Sequence, residues 1–193
     1  MKRFILAITG ASGACYAKKL FDVLKDNSEL HVIVSERGVE LLNLELDLKT
    51  SYFSGDNVTL YKNSKINTCI ASGSFKTDGM IVVPASMGTI GRIASGVSTT
   101  MVERAADVIL KEKRKLILVP RETPFSTIHL KNLLVLDQAG AHILPASPAF
   151  YSGQKTFEDL VDFVVARILD LLGVDQNLMK PYKGWHLNSI NIN

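Results

Sequence analysis

The chain has 193 residues, 47% of them apolar and 21% charged, with a formal net charge of +3. That is the balance of a globular domain with one well-buried core; it excludes a disordered or fibrous chain, and so mild and dispersed a charge gives no footing for nucleic acid. Cys15 and Cys69 form no CxxC pair, and four histidines lack zinc-ligand spacing, so neither a disulfide framework nor a metal site is expected and a reducing, cytoplasmic setting fits.

Lys2-Arg3 followed by Phe4–Ile8 superficially resembles a signal peptide, but the apolar run is too short before Thr9-Gly10 breaks it. Phe4 to Thr9 reads instead as the first strand, with Gly10-Ala-Ser-Gly13 a tight turn into a helix from about Ala14 to Lys25. Leu30 to Val34 is a second strand, and Ser35 is placed to cap a helix through Leu41, Leu42 and Leu46. Residues 51–77 are mixed, with a strand hinted only at Val58–Tyr61. Gly79 to Val83 is a buried strand ending in Pro84-Ala-Ser86-Met87-Gly88-Thr89, followed by a helical region of small residues.

Arg104 to Leu110 has helical character, and Leu116 to Val119 is a short apolar run of the kind a buried parallel strand shows. Pro120-Arg121-Glu122-Thr123-Pro124 then displays charged groups on a stiff backbone. Ser126 opens a helix through Leu130, Leu133 and Leu134 to a stop at Gly140, His142–Leu144 is the last strand, and Thr156 to Leu172 is an amphipathic helix. Strands alternating with helices predict a single α/β domain, a Rossmann-like, doubly wound, mostly parallel sheet with helices on both faces. Its core spans about residues 1–173, with a polar tail at about 174–193. No stretch is long and apolar enough to span a bilayer.

In such sheets the loops at the carboxyl ends of strands line the ligand crevice. Here those ends carry Thr9-Gly-Ala-Ser-Gly13, Ser35-Glu-Arg37, Ser86-Met-Gly-Thr89, Arg121-Glu122 and Ser147-Pro-Ala-Phe-Tyr151. Hydroxyls, glycine-bearing turns, two arginines and a carboxylate suit a phosphate-bearing ligand. Each piece is weak alone, since a GASG turn is as often a plain strand-to-helix turn, and Ser86 and Thr89 are more often caps than ligands; the recurrence at five strand ends carries the reading. No GxxxxGK[ST] run is present. Arg104 has local partners in Glu103, Asp107 and Glu112. Arg167 falls away from Glu158, Asp159, Asp162 and Asp170 on the last helix, so its guanidinium either snorkels or meets an anion in a pocket or subunit interface. Lys113-Arg114-Lys115 reads as an ordinary solvated turn.

Gly10-Ala-Ser-Gly13, Pro84-Ala-Ser-Met-Gly-Thr-Ile-Gly-Arg-Ile-Ala94, Arg104-Ala-Ala-Asp-Val-Ile-Leu-Lys-Glu112, Val119-Pro-Arg-Glu-Thr-Pro124 and Pro148-Ala-Phe-Tyr151 together resemble the UbiX-type flavin prenyltransferases, in register from the N-terminus to about Gly173. The resemblance implies transfer of a dimethylallyl group from dimethylallyl monophosphate to N5 and C6 of reduced FMN, without metal. The prenylated FMN would then pass to a UbiD-type decarboxylase. It implies FMN contacts from Gly10, Ala11, Ser12, Ser35, Ser86, Met87, Gly88, Thr89 and Arg121. Donor contacts fall to Tyr151, Arg167, Arg104 and Lys111, and catalytic roles to Glu122, Glu45, Ser12 and Lys111. It also implies a homododecamer with pockets between subunits. Ala149 and the Ser152-Gly-Gln-Lys155 stretch depart from the family pattern, and the Pro181-Tyr-Lys-Gly-Trp185 end resembles its tail only loosely. The rival readings are an FMN-dependent decarboxylase of the same fold, which would need a histidine and an Asn-bearing turn, and a non-catalytic FMN-binding module.

Overall fold

The computed structural model describes residues 1–151 and 154–179. Six strands form one wholly parallel sheet: β1 (Lys2–Ile8), β2 (Ser28–Val34), β3 (Val58–Lys62), β4 (Gly79–Ala85), β5 (Leu116–Pro120) and β6 (His142–Ile143), in the order β3-β2-β1-β4-β5-β6. The helices are α1 (Ala14–Leu24), α2 (Glu36–Leu46), α3 (Met87–Ala94), α4 (Met101–Lys111), α5 (Thr127–Gln138) and α6 (Phe157–Leu172). This is the doubly wound Rossmann-type order, and β1 and β4 sit where it reverses.

Side chains alternate across the sheet, so each central strand feeds two cores. Phe4, Leu6, Ile8, Val32, Ile81, Val83, Ile117 and Val119 pack with Leu20 and Phe21 of α1, Leu42 of α2 and Val165, Ile168 and Leu169 of α6. Ile5, Ala7, Ile33, Met80, Val82, Leu116 and Leu118 pack on the other side with Ile90 of α3, Ala105, Ala106 and Ile109 of α4 and Leu136 of α5. Burial on both faces explains why these strands read as continuous apolar runs rather than alternating ones.

The helix boundaries follow capping chemistry. Ser35, Ser86, Ser126 and Thr156 each accept a backbone N–H from the first turn of the helix they open. Gly140 and Gly173 close α5 and α6 with φ of 99° and 65°.

The helix expected through Leu130, Leu133 and Leu134 is α5; of these leucines only Leu133 is buried, while Leu130 and Leu134 are exposed beside Ile128 and Val135. Two expectations are corrected. Arg114 and Lys115 are not a solvated turn: Arg114 donates to the carbonyls of Phe75 (2.8 Å) and Gly73, and Lys115 donates to that of Leu171. These bonds fasten the start of β5 to neighbouring segments. Arg167, expected to fall away from the acidic face of α6, donates to Asp170 at 2.7 Å, because residues three apart share a helix face. Trp185 and Ser152 lie outside the described residues. No helix among the described residues is long and apolar enough to cross a membrane.

Candidate active site

The centre of the site is the seam between the carboxyl ends of β1 and β4. Thr9, 1% exposed, donates through Oγ1 to the Pro84 carbonyl (2.8 Å), while its Oγ1 accepts the Ser86 N–H (2.8 Å). One hydroxyl thus ties the β1–α1 turn to the β4–α3 turn, the two loops that flank the crevice of a doubly wound sheet. The sequence places Thr9 in a strand-end loop of the crevice but does not reveal its bond to the β4–α3 turn, which joins residues 77 apart.

The β1–α1 turn is compact because its glycines permit it. A Cβ on Gly10 would collide with the Cβ of Arg37 on α2, so only glycine lets the two loops approach there. Gly13 adopts φ 115° under the Tyr16 ring, where a Cβ would stand 2.9 Å from a ring carbon. Ala11 is buried and Ser12 half-buried in this turn. Glu45, at the end of α2, accepts the N–H groups of Gly13 (3.0 Å) and Ala14 (2.8 Å), so its carboxylate caps α1 from a neighbouring helix. An anion is favoured there by the unpaired N–H groups and the helix dipole. Arg121 follows β5, and its charge is felt at the start of α1: burial raises the Cys15 and Tyr16 pKa values, and the Arg121 charge opposes both shifts.

Across the seam, Ser35 caps α2 through the Gly38 N–H (3.1 Å). Ser86 caps α3 through the Thr89 N–H (3.3 Å), with its hydroxyl 3.0 Å from that of Thr89. Met87 and Thr89 are buried and Gly88 is exposed at the helix start. Thr9, Gly10, Ser35, Arg37, Ser86, Thr89, Arg92 and Thr100 line a cleft of about 220 Å³ between these helix starts. A larger hollow of about 410 Å³ lies at the sheet edge by Val39 and Leu60 and adjoins the cleft, sharing Glu36 and Asn63 with it. Hydroxyls, guanidinium groups and first-turn amides make the cleft fit the phosphate-bearing end of a flavin mononucleotide. Among the described residues no group of His, Cys, Asp and Glu is arranged to hold a metal.

Other candidates lie elsewhere on the subunit. Glu122 is exposed beside Arg121 and accepts its neighbour Thr123's N–H at 3.0 Å. Tyr151, 54% exposed, follows β6 at the same end of the sheet. Arg104 pairs with Asp107 at 2.8 Å, and Lys111 with Glu112 at 3.2 Å. Lys111 ends α4, which runs back toward the opposite end of the sheet; its seven residues from Arg104 span about 10 Å at a rise of 1.5 Å per residue. Arg167 stands ten residues along α6, exposed and paired with Asp170. Within one chain, Gly10, Ser35, Ser86 and Thr89 line the cleft and Glu45 holds the turn beside it, whereas Arg121, Lys111 and Arg167 are not among its lining residues.

Residues 1–169 match the Flavoprotein family model. The flavin prenyltransferase UbiX of Methanocaldococcus jannaschii is 44% identical over 180 residues, covering 93% of this chain and 98% of its own. The chain belongs to the UbiX family of flavin prenyltransferases. Among solved UbiX-family structures, AnUbiX (PadA1), in complex with FMN and dimethylallyl pyrophosphate, superposes with a TM-score of 0.91 at 41% identity, covering 95% of this chain and 98% of that one. A dodecameric FMN-dependent UbiX-like decarboxylase from Escherichia coli O157:H7 superposes with a TM-score of 0.90 at 40% identity, covering 94% and 100%.

Proposed function

We propose that the protein transfers a dimethylallyl group from dimethylallyl monophosphate to N5 and C6 of reduced FMN. The observation that carries this reading is the cleft at the β1–β4 seam lined by Gly10, Ser35, Ser86 and Thr89, with Glu45 holding the Gly13 turn beside it, in a chain 41% identical to a relative in complex with FMN and dimethylallyl pyrophosphate. Reduced flavin supplies the nucleophilic N5 and C6 positions; the protein supplies position and charge. Ser35, Ser86 and Thr89 are assigned to the cofactor in the cleft, with Gly10, Ala11, Ser12, Met87, Gly88 and Arg121 along it. Breaking the allylic C–O bond leaves negative charge on the departing phosphate, which Arg104, Lys111, Tyr151 and Arg167 are assigned to stabilise. Glu122 and Glu45 are assigned to hold or move protons as the new ring closes, and Ser12 to position the flavin beside them.

Since Lys111 and Arg167 stand on outer helix faces, their assignment to the donor requires neighbouring subunits. Exposed Ile128, Leu130, Leu134 and Val135 on α5 supply apolar surface for such contacts. A homododecamer, the state of the Escherichia coli relative, accommodates both features. The product is assigned to a UbiD-type decarboxylase, the site of action to the cytoplasm, and the tail beyond about residue 173 to the same domain.

A decarboxylase reading lacks its histidine: none of the residues lining the cleft is one. His31 is engaged with Tyr61 (2.8 Å) and Glu29 (3.0 Å), and His129 with the start of α5. Anaerobic incubation with reduced FMN and dimethylallyl monophosphate, followed by flavin mass analysis, tests the proposal. A flavin heavier by one C5H8 unit supports it, and an unchanged flavin rejects it.

A further inference from the structure

We propose that Arg92, held by the buried carboxylate of Glu103, is the clamp for the FMN phosphate and the source of discrimination between FMN and unphosphorylated flavin. The inference rests on the FMN reading above and adds residues that the family resemblance does not assign.

Arg92 lies on α3 and Glu103 on α4, and the Arg92 Nε donates to a Glu103 oxygen. The Glu103 side chain has no exposed surface, whereas that of Arg92 is 48% exposed and lines the cleft. Glu103 also accepts the Thr99 N–H (2.9 Å), the Thr99 hydroxyl (2.8 Å) and the Thr100 N–H (2.9 Å). Burial alone would raise its pKa, but the bonds from Arg92, Thr99 and Thr100 more than offset that and hold it below the usual carboxylate value.

The carboxylate therefore has partners enough without the arginine, and what the pairing adds is the direction of the guanidinium. With Nε committed to Glu103, the two terminal nitrogens point to the start of α3. Nη2 donates to Thr89 Oγ1 at 3.4 Å, and a Cβ on Gly88 would lie 3.5 Å from Nη1. A planar fork fixed at Nε and steadied at Nη2, with further N–H donors left over on both terminal nitrogens, is suited to a phosphate's oxygens. Arg37 lines the same cleft from α2. Glu36 lines it as well, with its carboxylate accepting from Asn63 Nδ2 at 3.3 Å.

The test is the ratio of riboflavin to FMN dissociation constants, read by flavin fluorescence on the flavin-free protein. Arg92→Met is expected to weaken FMN binding about 10- to 100-fold, the scale of one lost charge-assisted contact, while riboflavin affinity stays within about threefold. Arg92→Lys should recover part of the ratio. Glu103→Gln should lose part of it, and should lose nothing further in the Arg92→Met background, because it acts through the arginine. That double variant also removes the buried charge that loses its counter-ion in Arg92→Met, so it reads the ratio even where the single variant folds poorly. An unchanged ratio in both Arg92 variants, with FMN still bound tightly by the parent, overturns the clamp and leaves the prenyltransferase reading standing. A parent protein that binds neither flavin overturns the FMN reading itself.

Discussion

Thr9 and Ser86 are joined across the sheet: the Ser86 N–H donates to the Thr9 hydroxyl at 2.8 Å, and that hydroxyl donates to Pro84. Residues 77 apart in sequence thus share one hydroxyl at the point where the strand order reverses. Thr9→Val keeps the shape and removes the bridge, leaving the half-buried Ser86 N–H without its acceptor, while the Pro84 carbonyl keeps the Thr9 N–H at 3.2 Å. The expected loss is about 1–3 kcal/mol, seen as a lower denaturant midpoint with unchanged slope, together with weaker FMN binding. Thr9→Ser should restore most of both.

Glu45 caps α1 from the end of α2. Glu45→Ala removes the acceptor from the Gly13 and Ala14 N–H groups and is expected to cost about 0.5–2 kcal/mol. Glu45→Gln retains an oxygen acceptor and should recover much of the stability but not the turnover, if the charge also serves prenyl transfer. Parallel thermal-denaturation and single-turnover measurements separate the two.

Glu122 is exposed in the loop after β5, next to Arg121, which is proposed as a flavin contact. Glu122→Gln is expected to keep FMN affinity within about threefold and to slow prenylation by about 10²-fold, the usual scale of a lost proton-transfer group. Loss of FMN binding in this variant would make Glu122 structural.

His31 is 4% exposed between Tyr61, Glu29 and the edge of Phe75, with Arg3 pairing the other side of Glu29. Burial lowers its pKa more than Glu29 raises it. The unfolded chain then binds the extra proton first as pH falls, so stability is full above the ordinary histidine pKa of about 6.5 and declines as pH drops through the folded value. Urea midpoints at pH 7.5 and pH 5 should show this loss, and His31→Gln should flatten it.

The exposed α5 residues and the outward Arg167 make assembly testable. Leu134→Glu is expected to shrink the oligomer in sedimentation and to abolish prenylation while FMN still binds. Co-assembly of Glu122→Gln with Arg167→Ala subunits should regain activity if donor and flavin groups come from different chains.

The fold was legible because the central strands are buried on both faces, and three of them, β1, β2 and β4, end in a glycine or serine turn, as at Ile8–Gly10 and Ala85–Ser86. Those same turns marked the loops proposed for the flavin. What the sequence hid has a common cause: Arg92 and Glu103 lie on different helices, Glu45 reaches back 32 residues to Gly13, and Arg114 reaches 39 to Phe75. Such pairings depend on how helices pack, which local periodicity does not encode. Arg167 was misjudged for the opposite reason, since its partner Asp170 was only three residues away.

The most direct test of the central claim is the mass of the flavin after anaerobic incubation of the protein with reduced FMN and dimethylallyl monophosphate. A gain of one C5H8 unit, dependent on protein and on donor, is the expected result. Bound FMN recovered with unchanged mass would contradict the account.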